Sequence, residues 1–115
     1  MRNGLTIALL LTCGAAGADD CTAIRFQRGT TGAMVTGIAS SEAMTCYTLE
    51  TGAGQTATVE IVESGGDDTA FNISGEVDNQ VAYTFSTEAK TYKIDVYRTF
   101  ARQPPVPFKM AVSVQ

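Results

Sequence analysis

Arg98, Phe100 and Arg102, two arginines flanking a phenylalanine, are the side chains of this chain best suited to grip a partner. A guanidinium forks a carboxylate through two parallel hydrogen bonds, and a ring beside it adds apolar contact area. Tyr97, just ahead of them, would extend the same patch from the neighbouring strand. The competing reading has Phe100 plugging one end of the fold with both arginines solvated, and Tyr97 serving only as a cross-strand partner. From the sequence both readings stand.

Other chemistries find no support. There is no His and no Trp, which excludes a Ser-His-Asp triad, a Cys-His pair and the metal sites that need imidazole. Asp67, Asp68, Glu76 and Asp78 resemble an acidic calcium cluster, but they lack the oxygen ladder and the terminal bidentate Glu of an EF-hand and read as solvated turn charges. The 12 acids identify no glycosidase pair. A Ser-Lys nucleophile would need Lys90, Lys93 or Lys109 desolvated, for which their strand positions give no sign. No catalytic residue, metal site or cofactor is expected, so the chain reads as no enzyme. A net charge of −4 leaves no footprint for nucleic acid and would suit a basic partner.

The compartment follows from the N-terminus. Arg2, an apolar run over 5–12 and the small residues Ala16-Gly17-Ala18 predict a signal peptide over 1–18, cleaved near Ala18, with a single secreted domain over 19–115. The apolar run is too short for a transmembrane segment. Cys13 leaves with the leader. Cys21 and Cys46 then form an even pair in an oxidising compartment, which predicts one disulfide closing a loop of about 25 residues. Asn72-Ile73-Ser74 matches a glycosylation acceptor but falls within a strand and carries no functional weight.

The elements that must hold these residues alternate with a period of two. Segments 23–26, 33–40, 44–50, 56–64, 70–74, 81–87, 90–99 and 108–114 are rich in Val, Ile, Thr, Tyr and Phe and predict about eight strands. Tyr92, Ile94 and Val96 share one face of their strand; Phe108, Met110, Val112 and Val114 share one face of the last. No window carries a helical stripe. The expectation is an all-β protein, an antiparallel β-sandwich. Turns at Gly29–Gly32, Gly52–Gly54 and Gly65–Asp68 offer glycines able to take positive φ, and three prolines keep residues 100–107 out of a central strand. An open sheet edge would allow a weak homodimer.

The runs IRFQRGTTGAMVTGI, YTLETGAGQTATVEI, TYKIDVYRTFAR and PFKMAVSV resemble, in that order, the periplasmic inhibitors of goose-type lysozyme. The shared positions are Phe26, Gly29, Ala33, Gly37, Tyr47, Gly54-Gln55, Phe71, Tyr92, Ile94, Val96, Thr99 and Arg102, over nearly all of the mature chain. The Tyr-x-Leu and Gly-x-Gly-Gln pieces also resemble pre-peptidase C-terminal β-sandwich modules. The first resemblance implies a periplasmic protein that blocks a goose-type lysozyme cleft with loop residues, Arg102 and Arg98 facing its carboxylates; the second implies a non-catalytic binding module for carbohydrate or an envelope protein. The chain departs from the inhibitor pattern at Phe100, where a charged residue is usual, at Arg98, where Gln is usual, and in a shorter 71–81 stretch.

Overall fold

The computed structural model describes residues 21–115, which build two β-sheets with no helix among them. The strands are β1 (Thr22–Ala23), β2 (Gly32–Ala39), β3 (Thr45–Thr51), β4 (Thr56–Ser64), β5 (Thr69–Ile73), β6 (Val77–Gln80), β7 (Ala82–Ser86), β8 (Lys90–Arg98) and β9 (Val106–Val114). One sheet runs β1-β3-β8-β5-β6 and the other β2-β9-β4-β7. No helix among the described residues is long and apolar enough to cross a membrane.

The period-two pattern explains why the layers stack. Tyr47, Leu49, Phe71, Ile73, Tyr92, Ile94 and Val96 turn inward from the first sheet, and Ala57, Val59, Phe85, Phe108, Met110, Val112 and Val114 meet them from the second. Aromatic edges lock the contact: Phe85 meets Tyr92 at 5.1 Å between ring centroids, and Tyr47 meets Phe108 at 6.3 Å, both edge-on. A side chain at Gly37 would collide with the Tyr47 hydroxyl and the Phe108 ring, so β2 needs glycine where Tyr47 reaches under it. Burial pushes the Tyr47 phenol above its ordinary range.

The structure corrects the sequence reading in four places. Among the described residues there are nine strands, because the polar segment Val77–Gln80 pairs with β5 across the turn at Gly75 (φ +79°). The Asn72 side chain accepts the Asn79 N–H at 2.8 Å there, a support that apolar periodicity does not reveal. The first strand of the described residues is only Thr22–Ala23, and it runs parallel to β3, the one parallel pair among them. Disulfide Cys21–Cys46 joins these two strands. Val106 and Pro107 pair with β2 inside the stretch that the prolines were expected to exclude. Pro107 sits where β4 has just ended, and its carbonyl takes the Gly65 N–H at 2.9 Å.

The disulfide spans 25 residues and fastens the start of the described chain to the sandwich. In the chain-entropy account such a loop contributes roughly 3 kcal/mol. Replacing both cysteines by serine is expected to lower the unfolding free energy by about that amount in urea titrations, with a steeper slope because the unfolded chain is no longer held compact; an unchanged midpoint would show that the link constrains nothing.

Candidate functional site

Three connections meet at one end of the sandwich: residues 40–44 between β2 and β3, 65–68 between β4 and β5, and 99–105 between β8 and β9. Their meeting point is Arg98. Alternation along β8 puts Tyr92, Ile94 and Val96 inside, and it puts Arg98 inside as well, with only 8% of its side chain exposed. An interior guanidinium needs a carboxylate and acceptors for its remaining N–H groups. The β5–β8 register, which sets Thr69 opposite Arg98, delivers Asp68 to that spot.

Arg98 Nη2 and Nε donate to Asp68 Oδ1 at 2.5 and 3.0 Å, and Nε also approaches Oδ2 at 3.2 Å. Asp68 Oδ2 accepts the Phe100 N–H at 3.0 Å, and the Asp68 carbonyl accepts the Thr99 N–H at 2.9 Å. Arg98 Nη1 reaches the Pro104 carbonyl at 2.7 Å. The Arg98 N–H bonds the Ser40 carbonyl at 2.9 Å, and the Ser41 hydroxyl donates to the Gln103 carbonyl at 3.1 Å. One ion pair and its bonds thus tie all three connections into a unit.

Gly66 completes the clamp by lacking a side chain. A Cβ there would strike the Arg98 Nη2 and lie 2.9 Å from its Cζ and 3.1 Å from Asp68 Oδ1. Positive φ is found at Gly29 and Gly54, as the turn reading foresaw, but at neither Gly65 nor Gly66, where closeness of approach is what matters.

Asp68 is the residue that the sequence reading misassigned. Expected as a solvated turn charge, it is buried, while its neighbour Asp67 is exposed. Glu76 and Asp78 lie away on the β5–β6 turn and strand, so the four acids form no cluster. Among the described residues no group of three or more His, Cys, Asp or Glu is placed to hold a metal. Continuing the β8 alternation by one step would have found the buried arginine; choosing Asp68 over Asp67 as its partner requires the register.

The four residues singled out from the sequence divide between two roles. Arg98 is spent inside the clamp. Phe100 and Arg102 stand on the loop it holds, and both are exposed. Of the nine aromatic side chains in the sequence, all within the described residues, Phe100 alone is exposed, at 63%. Arg102 has a positive φ of 63°, a conformation glycine adopts at no steric cost and arginine does not. It makes no ion pair among the described residues. Met44, 54% exposed, stands on a neighbouring connection, and a cleft of about 210 Å³ runs between residues 40–44 and the flank of Tyr97 and Arg98. Tyr97 is half-buried on the outer face of β8, donating to Asn72 Oδ1 at 2.7 Å. Burial and the nearby Asp78 and Asp95 charges raise its phenol above the ordinary range, against a bond involving the Asn79 backbone that lowers it. The tip therefore presents an unsheltered ring and a free guanidinium on a pre-set loop, a surface suited to an acidic, concave partner.

The Asp68 carboxyl is held below the ordinary range, first by the hydrogen bonds from Arg98 working against burial, then by the Phe100 N–H and the Arg98 charge. A depressed folded value means that its stabilisation is complete above the unfolded value of about 3.9 and is lost as pH falls through the lower folded one. Asp68→Asn is expected to melt several degrees lower at neutral pH and to show a flatter acid limb than the wild type; parallel Tm-against-pH curves below about pH 4 would contradict this role.

No family model and no curated protein matches the chain. Solved structures do. A periplasmic lysozyme inhibitor of g-type lysozyme from Aeromonas hydrophila, PliG, superposes with a TM-score of 0.69 and 29% identity over 83% of this chain and 96% of that one. A mutant of the corresponding inhibitor from Escherichia coli gives a TM-score of 0.63 and 15% identity over 82% of this chain and 96% of that one. The Salmonella Typhimurium PliG gives 0.62 and 16%, again over 82% and 96%. The latter two likenesses show the fold alone. The chain is similar in structure, over most of its length, to the PliG periplasmic inhibitors of g-type lysozyme.

Proposed function

We propose that this chain is exported to the periplasm by residues 1–18 and there inhibits a goose-type lysozyme, its tip entering the enzyme's cleft, without catalysing a reaction of its own. The observation that carries this reading is the Aeromonas hydrophila inhibitor, whose structure matches this chain over 83% of its length at 29% identity. The geometry of the tip supplies the means. Phe100 offers an exposed apolar ring, and Arg102 offers an uncommitted guanidinium for an acidic group lining the cleft. Arg98 and Asp68 act as positioning residues, so little loop entropy is lost on docking. Tyr97 flanks the contact rather than leading it, since its hydroxyl is engaged by Asn72. The carbohydrate-module reading gains nothing from the sheets, because both outer faces lack an exposed ring on which a sugar could stack.

Purified residues 19–115 are expected to stop a goose-type lysozyme from clearing peptidoglycan at a near-equimolar ratio. Full clearing at large excess, or retention on the glycan itself with the enzyme unaffected, would reject the proposal. Phe100→Ala and Arg102→Ala are each expected to raise the half-inhibiting concentration about tenfold or more, equivalent to about 1.4 kcal/mol, while leaving Tm nearly unchanged because both side chains are exposed. A dose curve identical to the wild type would remove that residue from the contact.

A further inference from the structure

Two exposed charges of opposite sign stand on joined connections of the tip. The Ser41 hydroxyl and the Gln103 carbonyl link residues 40–44 to residues 99–105, and the residue beside each, Glu42 and Arg102, is exposed. Neither makes an ion pair with the other or with any described residue. Arg102 has its role above; Glu42 has none. It lines the cleft of about 210 Å³ between residues 40–44 and the end of β8. The Ser40 hydroxyl accepts the Glu42 N–H at 3.0 Å and the Ser40 carbonyl accepts the Arg98 N–H at 2.9 Å, so the wall that carries Glu42 is fastened to β8. Met44 and Tyr97 add apolar lining. Arg98 lines the cleft as well, but its charge is spent on Asp68 and its side chain is only 8% exposed, which leaves Glu42 as the net charge of the lining. The flank beyond Tyr97 is acidic too: after burial, the charges of Asp78 and Asp95 are what raise its phenol, although Lys93 stands 3.7 Å from Asp95.

We propose that this cleft receives a basic side chain, lysine or arginine, from the rim of the lysozyme's own cleft as the tip enters it, an inference that rests on the inhibitor reading. The space is smaller than the roughly 300–1,000 Å³ of a small-molecule pocket, which suits one side chain rather than a free ligand. The aliphatic stem lies along Met44 and Tyr97, and the cationic head meets the Glu42 carboxylate. Charge selects this occupant. An apolar side chain would draw Glu42 out of water with no partner, and an acidic one would face a carboxylate of its own sign. The net charge of −4 favours the approach of a basic surface to the chain as a whole. With a carboxylate on one connection and a guanidinium on the next, the tip satisfies both charges in one orientation only, so Glu42 and Arg102 together set the register of docking.

The test is the rate of binding of residues 19–115 to a goose-type lysozyme. Glu42→Gln is expected to slow association about fivefold at low salt, with the difference closing by about 0.5 M salt. Met44→Ala is expected to speed dissociation about fivefold at either salt. Both side chains are exposed, so Tm should stay nearly unchanged in each variant. Glu88→Gln removes the same charge from the connection between β7 and β8, at the opposite end of the sandwich, and should bind as the wild type does. A wild type that does not bind the lysozyme would reject the inhibitor reading and, with it, the enzyme as the source of the side chain. A wild type that binds while Glu42→Gln or Met44→Ala keeps its rates, or a Glu88→Gln that slows association as much as Glu42→Gln, would overturn this proposal alone.

Discussion

The arrangement of the tip depends on one fact about β8, that its inward-facing series ends on an arginine. A guanidinium drawn from water is tolerated only with a carboxylate and full hydrogen bonding, and the Arg98–Asp68 pair with the Pro104 carbonyl provides both. Because Asp68 also accepts two backbone N–H groups of the next connection, satisfying the arginine and shaping the loop are the same event. Gly66 is bound into this by exclusion, since any side chain there would displace the guanidinium. Breaking the pair would leave a buried charge and release the segment that carries Phe100 and Arg102.

The rest of the sandwich serves as a frame for that end. Tyr92, Ile94 and Val96 anchor β8 in the core directly behind Arg98, so the clamp sits on a rigid strand rather than on a hinge. The antiparallel pairing of β5 with β8 fixes which acid arrives, and the crossing from β8 to β9 sends the chain over the sandwich end between the two sheets. Two of the departures from the inhibitor pattern noted in the sequence, at Arg98 and Phe100, fall in this region. Arg98 in place of Gln is accounted for by Asp68. Phe100 in place of a charge exchanges electrostatic reach for exposed apolar area on the tip.

Much of this was legible in the residues because burial in a two-layer sheet has a period of two. Tyr47 and Leu49, Tyr92 to Val96 and Phe108 to Val114 announce both the strands and the side that faces inward, and β4 occupies the expected residues 56–64. The misses share a cause. β6 is held by turn geometry and by the Asn72 side chain, β1 by a disulfide and two parallel pairs, and neither leaves an apolar alternation to read. The choice of Asp68 over Asp67, and the exposure of Phe100 rather than its use as a plug, depend on the register between β5 and β8, a long-range quantity that local composition does not encode.

The most direct measurement is residue-resolved amide exchange at Phe100, whose N–H points at Asp68 Oδ2. In the wild type this amide should exchange far more slowly than that of exposed Ala101 beside it, and in Arg98→Lys, which lacks the planar fork, it should approach the rate of an open loop while β9 amides stay protected. A Phe100 amide already fast in the wild type, or one indifferent to the loss of Arg98, would contradict a tip held in shape by the buried pair.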